Sequence, residues 1–420
     1  MEPALGRAGM TPAGGAGSCA DARAVRNPAA APRAARYEDG QFPLNRSGFD
    51  RAFDEISRWP GYAPTPLVSL PGWAQRLGLR QLRCKDESGR FGLGSFKALG
   101  GAYAVANVLR SKVRAAGRQH EVTSAQLLSG EFADVTGSQT VTCATDGNHG
   151  RSVAWGARLF GCRCVIFVHE HVSANRRDAI ARHGTQIRVV RGNYDDAVRA
   201  AAATAAAEGW TVVSDTSYPG YREIPLDVKH GYGVIAAEIA QQLGDEPAPT
   251  HVVVQAGVGG LAAAICAWFW LHWREQRPRF VVVEPLRADC VYRSIEAQRP
   301  VAVTGALDTV MAGLACGEVS ELAWEVLQRG CDVAVAIDDT WALRAMKALA
   351  TPDAGDPAVV AGETGGAGFG ALLAARLEPA LRDTLELDSE ARVLVICTEG
   401  DTDPDIYRQI VGRSAREVLA

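Results

Sequence analysis

The chain has 420 residues, 47% of them hydrophobic and 22% charged, with a net charge of -4. That is enough for two domains with their own cores, and it offers neither nucleic acid nor an anionic membrane an electrostatic handle. No run of about 20 apolar residues is present, so no transmembrane helix is expected, and the ten cysteines lack metal-ligand or redox spacing, which suits buried thiols in a reducing, cytoplasmic setting.

Residues 1–36 are rich in Ala, Gly, Pro and Arg and have no apolar stretch of the secretory kind. A disordered extension is expected there, with Met10 as an alternative start. From Tyr37 the texture turns globular. The turn Gly94-Ser95-Phe96-Lys97 then precedes an apolar helix-period segment. A lysine so placed can condense with an aldehyde, and the helix N-terminus beside it can hold an anion. Alone, such a stretch is more often a turn with a solvated lysine.

Strand-like runs follow at Val141–Ala144, Cys164–Val168, Ile187–Val190, Thr211–Val213, His251–Val254, Phe280–Val283, Val333–Ala336 and Arg392–Ile396. Ala-rich, helix-period segments such as Asp195–Glu208 and Leu261–Trp273 lie between them. Short β-branched runs alternating with helices predict an α/β fold with mostly parallel, buried sheets. Ligands of such folds sit at the carboxyl ends of strands.

Three segments occupy that position. Thr145-Asp146-Gly147-Asn148-His149-Gly150 follows the strand at 141. Asn148 offers a donor and an acceptor, Asp146 adds a carboxylate, and His149 reads as a core histidine bonded to backbone. Gln255-Ala256-Gly257-Val258-Gly259-Gly260 follows the strand at 251; its glycines can turn N–H groups toward a phosphate. A dinucleotide turn with Glu284 as the ribose acid is the rival there, and it explains neither Lys97 nor Asp146. Thr398-Glu399-Gly400-Asp401-Thr402-Asp403 follows the last strand; Thr398 can meet a ring nitrogen, and Asp401 and Asp403 read as polar loop residues. An aldehyde, a phosphate and a substituted aromatic ring together describe pyridoxal 5′-phosphate. Lys97 would bond the aldehyde, Asn148 would face the 3′-oxygen, Gly257, Val258, Gly259 and Gly260 would hold the phosphate, and Thr398 would meet the pyridine nitrogen.

Gly-Ser-Phe-Lys, Gly-Asn-His-Gly and Gly-x-Gly-Gly in this order resemble the fold type II pyridoxal-phosphate enzymes, and most closely the diaminopropionate ammonia-lyases. The resemblance runs from Gly61 to Tyr407. It rests also on Gly61–Leu67, Lys85–Leu93, Asp215-Thr216-Ser217-Tyr218-Pro219-Gly220-Tyr221 and Met311–Glu318. Asp146 and Asp215 match aspartates of that group, where related dehydratases carry a small neutral residue at the first. Gly94-Ser95, Tyr218-Pro219 and Gly365-Gly366 depart from the pattern at the pocket wall.

The resemblance implies two α/β domains with the cofactor between them, a large one of residues 37–119 and 218–420 and a small one of residues 120–217, in a homodimer. It implies elimination of ammonia from 2,3-diaminopropionate. Lys97 would take the α-proton of the L-isomer and Asp146 that of the D-isomer, while Asp215 would position or protonate the β-amine. No metal is expected. Cys290 and Cys316 match cysteines that can pair in the relatives; two thiols are the expectation here. The rivals are a dehydratase acting on serine, threonine or a hydroxyaspartate, a β-replacement synthase, and a non-enzymatic cofactor-binding protein.

Overall fold

The computed structural model describes residues 21–38, 40–145, 147–352 and 355–420. Its strands, in chain order, are β1 Ala22–Arg26, β2 Leu67–Ser69, β3 Gln81–Asp86, β4 Thr140–Ala144, β5 Arg163–His169, β6 Gln186–Val190, β7 Thr211–Val212, β8 His251–Gln255, β9 Arg279–Pro285, β10 Val333–Ile337 and β11 Arg392–Cys397. They form a seven-stranded sheet in the order β1-β10-β9-β8-β11-β3-β2 and a four-stranded sheet in the order β6-β5-β4-β7. The small sheet is wholly parallel, and in the large one only the edge strands β1 and β2 run antiparallel. This is the α/β architecture that the alternating runs predict.

The large sheet is buried on both faces, as its β-branched strands require. Side chains alternate along each strand. Val252, Val254, Phe280, Val282, Leu394 and Ile396 join one core, while Val253, Val281, Val283, Val393 and Val395 join the core on the other face. The Ala-rich helix Tyr194–Glu208 starts from a capping box, with the Asn193 side chain accepting from the Asp196 N–H at 3.1 Å and Asp196 accepting from the Asn193 N–H at 2.9 Å.

The N-terminal expectation needs correction. Residues 1–20, Met10 among them, lie outside the described residues, but Ala22–Arg26 is an edge strand with Ala22 opposite Ile337 and Arg26 opposite Val333. Its signal is weak because an edge strand needs only modest apolar content. Arg23 instead pairs with Asp289, and Arg26 Nη1 with Glu386 Oε1 at 2.7 Å. Asn27 then docks by donating to Gln328 O at 3.0 Å and Cys331 O at 2.8 Å.

β3 was also invisible as an apolar run, yet it lies between β11 and β2. Its Lys85 is fully buried and pairs with Glu238 at 2.7 Å. Glu238 also accepts from Arg90 Nη1 at 2.7 Å, Arg90 Nη2 at 2.8 Å and the Tyr62 hydroxyl at 2.9 Å. Glu87 accepts from Arg90 Nε at 2.8 Å and the Thr65 hydroxyl at 2.6 Å. Polar residues therefore form a strand here because every buried charge finds a partner.

The helix Ala98–Ala115, which begins just after Lys97, is clasped between two others. A Cβ on Gly156 of the helix Asn148–Phe160 would lie 2.7 Å from Ala102 Cα, and one on Gly231 of the helix Glu223–Leu243 would lie 2.0 Å from Leu99 O. Only glycine permits both approaches. Lys97 is thus fixed against the helix that follows β4 and the helix that follows Asp215.

Candidate active site

The site forms where strand ends meet. The Lys97 turn is tied to the end of β11 by Phe96 N–H donating to Thr398 O at 3.1 Å and by a bridge between Ser95 and Glu399. Lys97 is the N-cap residue of its helix, and its Nζ donates to Asp215 Oδ2 at 2.7 Å. Asp215 follows β7 in a loop held by Tyr221, whose hydroxyl accepts from Ser214 N–H and donates to Val212 O, both at 2.9 Å. Lys97 and Asp215 keep 21% and 16% of their side-chain exposure, so the pair is sheltered but still reachable from solvent.

Electrostatics fix the charge states. Burial alone would lower the Lys97 ammonium, but Asp215 and Tyr232 outweigh it and hold it above the usual lysine range. Burial alone would raise the Asp215 carboxyl; the Lys97 ammonium above all outweighs it and holds it well below the usual carboxylate range. His149 Nε2 bonds Val213 O at 2.8 Å, as expected of a core histidine, while its Nδ1 lies 3.8 Å from Asp215 Oδ2. Burial pushes that imidazole down, so it stays neutral at physiological pH.

Gly257, Val258, Gly259 and Gly260 join β8 to the helix Gly260–Trp273. Gly259 has φ +86°, and a Cβ there would meet Ala323 Cβ at 3.0 Å; one on Gly257 would meet Cys316 Sγ at 2.9 Å. The N–H groups of these four residues donate to no described acceptor. The turn is therefore a cradle of backbone donors at a helix N-terminus, the shape and charge that a phosphate requires. Cys290 and Cys316 are thiols, and Cys290 Sγ lies 3.6 Å from Gly257 O.

Thr398 is buried, and its Oγ1 accepts from Gln255 Nε2 at 2.8 Å. The same Nε2 faces Thr364 O at 2.9 Å and Ile396 O at 3.1 Å, which fixes the amide's orientation. A hydroxyl that accepts from Gln255 keeps its own proton for another acceptor, and an unprotonated pyridine nitrogen is such an acceptor. Asn148 Nδ2 donates to Glu399, which also accepts from Thr364 N–H at 3.2 Å. Asn148 thus faces a carboxylate here, and a cofactor oxygen would share its amide with Glu399.

Asp146 lies outside the described residues; beside it, Gly147 and Gly150 N–H both donate to Thr145 Oγ1 at 3.0 Å. Asp403 is not a solvated loop acid. It is buried and accepts from Ser173 Oγ at 2.8 Å and Asn175 Nδ2 at 3.2 Å, and Arg176 reaches Glu363 at 2.9 Å. These bonds tie the helix Ala174–Ala181, beside the small sheet, to the large one. Burial, with Glu399 adding to it, pushes the Glu363 carboxyl up to about 7. Glu284 is no ribose acid: its buried carboxyl group accepts the Val291 and Tyr292 N–H groups at 2.9 and 2.6 Å, capping the helix Cys290–Ala297. Sequence reasoning missed Gln255, Glu399 and Lys229. Glu399 adjoins Thr398 and Gln255 stands two residues before Gly257, and that nearness is their only signal.

The model of the pyridoxal-phosphate dependent enzyme family matches residues 58–399. The diaminopropionate ammonia-lyase of Salmonella typhimurium is 40% identical over 366 residues, 85% of this chain and 90% of that protein. The Escherichia coli enzyme of the same name is 40% identical over 355 residues, 84% of this chain and 88% of its own. A crystal structure of the Escherichia coli enzyme in complex with D-serine superposes with a TM-score of 0.85 at 36% identity, covering 94% of this chain and 98% of that one. A threonine deaminase from Solanum lycopersicum shares the fold, with a TM-score of 0.67 at 19% identity over 92% of this chain and 97% of its own.

Proposed function

The chain belongs to the pyridoxal-phosphate dependent enzymes and, within them, to the diaminopropionate ammonia-lyases, and from that premise we propose that it converts 2,3-diaminopropionate and water into pyruvate and two ammonia. The observation that carries this reading is the Lys97–Asp215 pair: an amine for the cofactor and, 2.7 Å away, an acid suited to a second amine. Lys97, Asn148, Gly257, Val258, Gly259, Gly260 and Thr398 are the residues that would hold the cofactor. Pyridoxal phosphate bound there supplies an aldehyde for the lysine and a sink for charge developed at the substrate's α-carbon.

The chain's own groups do the rest. Without cofactor, the Lys97 ammonium holds the proton affinity of Asp215 low, and a β-ammonium in the same place would hold it low in turn. Asp215 therefore orients a β-ammonium and keeps that group charged for departure, rather than supplying the proton itself. With Lys97 engaged by the cofactor, Asp215 would be without that partner, and the substrate's β-ammonium would take its place. Lys97 Nζ would take the α-proton of the L-isomer. Asp146 would take that of the D-isomer, the role its match in the ammonia-lyases implies. Thr398, aimed by Gln255, would donate to the ring nitrogen and so favour its uncharged form. The working unit in this reading is a homodimer, checked by sedimentation of the holoenzyme.

The test is turnover of each diaminopropionate isomer, with pyruvate and ammonia both counted. Two ammonia per pyruvate are expected, and Asp146→Asn should abolish D-turnover while sparing the L-isomer. Equal loss on both isomers contradicts the division of labour. Elimination of water from serine is the second reading, favoured by the relative's complex with D-serine. A faster rate on serine than on diaminopropionate would select it.

A further inference from the structure

Lys229 lies on the helix Glu223–Leu243 and is fully buried. Its Nζ donates to two backbone carbonyls, Asp215 O at 3.1 Å and Pro225 O at 3.5 Å, and among the described residues no carboxylate forms an ion pair with it. An ammonium has three donors, so one is unspent. The side chain runs along Gly260, with Cε and Nζ 3.7 and 3.9 Å from the place a Cβ of that residue would take. Its charge is thereby delivered to the first turn of the helix Gly260–Trp273, beside the cradle of backbone donors.

A buried ammonium without a counter-charge is unfavourable. The groups facing Lys229 do not correct this. Burial pushes it down to about 7; the Asp215 carboxylate opposes that, already engaged by Lys97, while Lys97 and Arg222 add positive charge. His230, next on the helix, is itself pushed down to about 4 and stays neutral. What the cluster lacks is an anion on the Gly260 side.

We infer that Lys229 is a further cofactor-binding residue, the cation that pairs with the phosphate group held at Gly257–Gly260. The inference rests on reading that turn as the phosphate site. It gives phosphate binding a proton linkage. With the phosphate dianion present Lys229 stays protonated, whereas without it the lysine loses its proton as pH rises through about 7. Phosphate-dependent affinity should therefore weaken with rising pH.

The experiment compares the affinities of the full chain, stripped of cofactor, for pyridoxal 5′-phosphate and for pyridoxal. Pyridoxal also closes to a cyclic hemiacetal, but that belongs to the free ligand and is the same for every protein, so the change in ratio from wild type to variant isolates the phosphate contact. In the wild type the ratio should favour the phosphorylated ligand and fall by up to about tenfold between about pH 7 and about pH 8.5. Lys229→Met should lower the ratio about tenfold near neutrality and flatten its pH dependence; Lys229→Arg should keep the ratio and also flatten it. A purely structural role would move the melting temperature and leave the ratios alone. A Lys229→Met ratio equal to the wild type's overturns the inference. Should that variant not fold, Lys229→Gln, which can still donate to the Asp215 and Pro225 carbonyls, takes its place, and a ratio equal to the wild type's overturns the inference equally. A wild type that does not distinguish the two ligands overturns the phosphate reading of the turn itself, and the inference with it.

Discussion

Two buried clusters of charge lie on either side of the helix Glu223–Leu243, and they are built on opposite rules. In the first, Lys85, Arg90, Glu87 and Glu238 match two cations to two anions, with both Glu238 oxygens engaged by Arg90. In the second, Lys97, Lys229 and Asp215 set two cations against one described anion, and His149 Nδ1 lacks a hydrogen-bond partner. The first is closed to any ligand and can only hold the fold. The second is short of negative charge and partly open, so it has energy to gain from an anionic cofactor and a charged substrate. Completeness of pairing, rather than burial, separates scaffold from site.

The comparison can be broken by mutation. The largest effect is expected from Lys97→Ala, which should cut pyruvate release by roughly a thousandfold or more and remove the visible absorbance of the bound cofactor, with melting temperature little changed. Retained absorbance at the wild-type wavelength would move the amine elsewhere. Glu238→Gln should do the reverse. Leaving Lys85 and Arg90 without their shared carboxylate should cost about 3–5 kcal/mol of stability by denaturant titration, while kcat of the folded fraction stays near wild type. Burial would raise the Glu238 carboxyl, but Arg90 and Lys85 outweigh it and hold it below the ordinary range. Its contribution is therefore present above about pH 4 and is lost as pH falls toward the folded value, so the variant should show a shallower acid-unfolding profile. A wild-type profile in Glu238→Gln would mean the network adds nothing.

Asp215→Asn sharpens the contrast within the site. Turnover of diaminopropionate should fall about a hundredfold, and any turnover of serine, whose leaving group carries no positive charge, should fall much less. Equal losses would make Asp215 a partner of Lys97 alone. The smallest effect is expected from Gln255→Leu. It frees the Thr398 hydroxyl from one orientation and should weaken cofactor binding about fivefold, read by equilibrium titration.

The same contrast explains what the sequence made legible. β8 to β11 and the small sheet are written as apolar runs, because strands covered on their faces need them. β3 is not, since its Lys85 is accommodated by charges distant in the chain, Glu238 above all. β1 is not, since an edge strand is anchored by Arg23 and Arg26 as much as by its alanines. In the site, Lys97 and Asp215 were readable and the fold brings them together. Lys229 was not, because a lysine in the middle of a helical segment carries no mark of what will surround it. Gln255 likewise acquires its role only when β8 lies beside β11 and presents its amide to Thr398.

The account depends on which amine carries the cofactor, and the site holds two candidates close to Asp215. Borohydride reduction of the holoenzyme, followed by peptide mass mapping, tests this directly. The phosphopyridoxyl group should be fixed on the peptide containing Lys97 and on no other. Its appearance on Lys229, or the absence of any reduced adduct in a cofactor-saturated sample, would contradict the assignment.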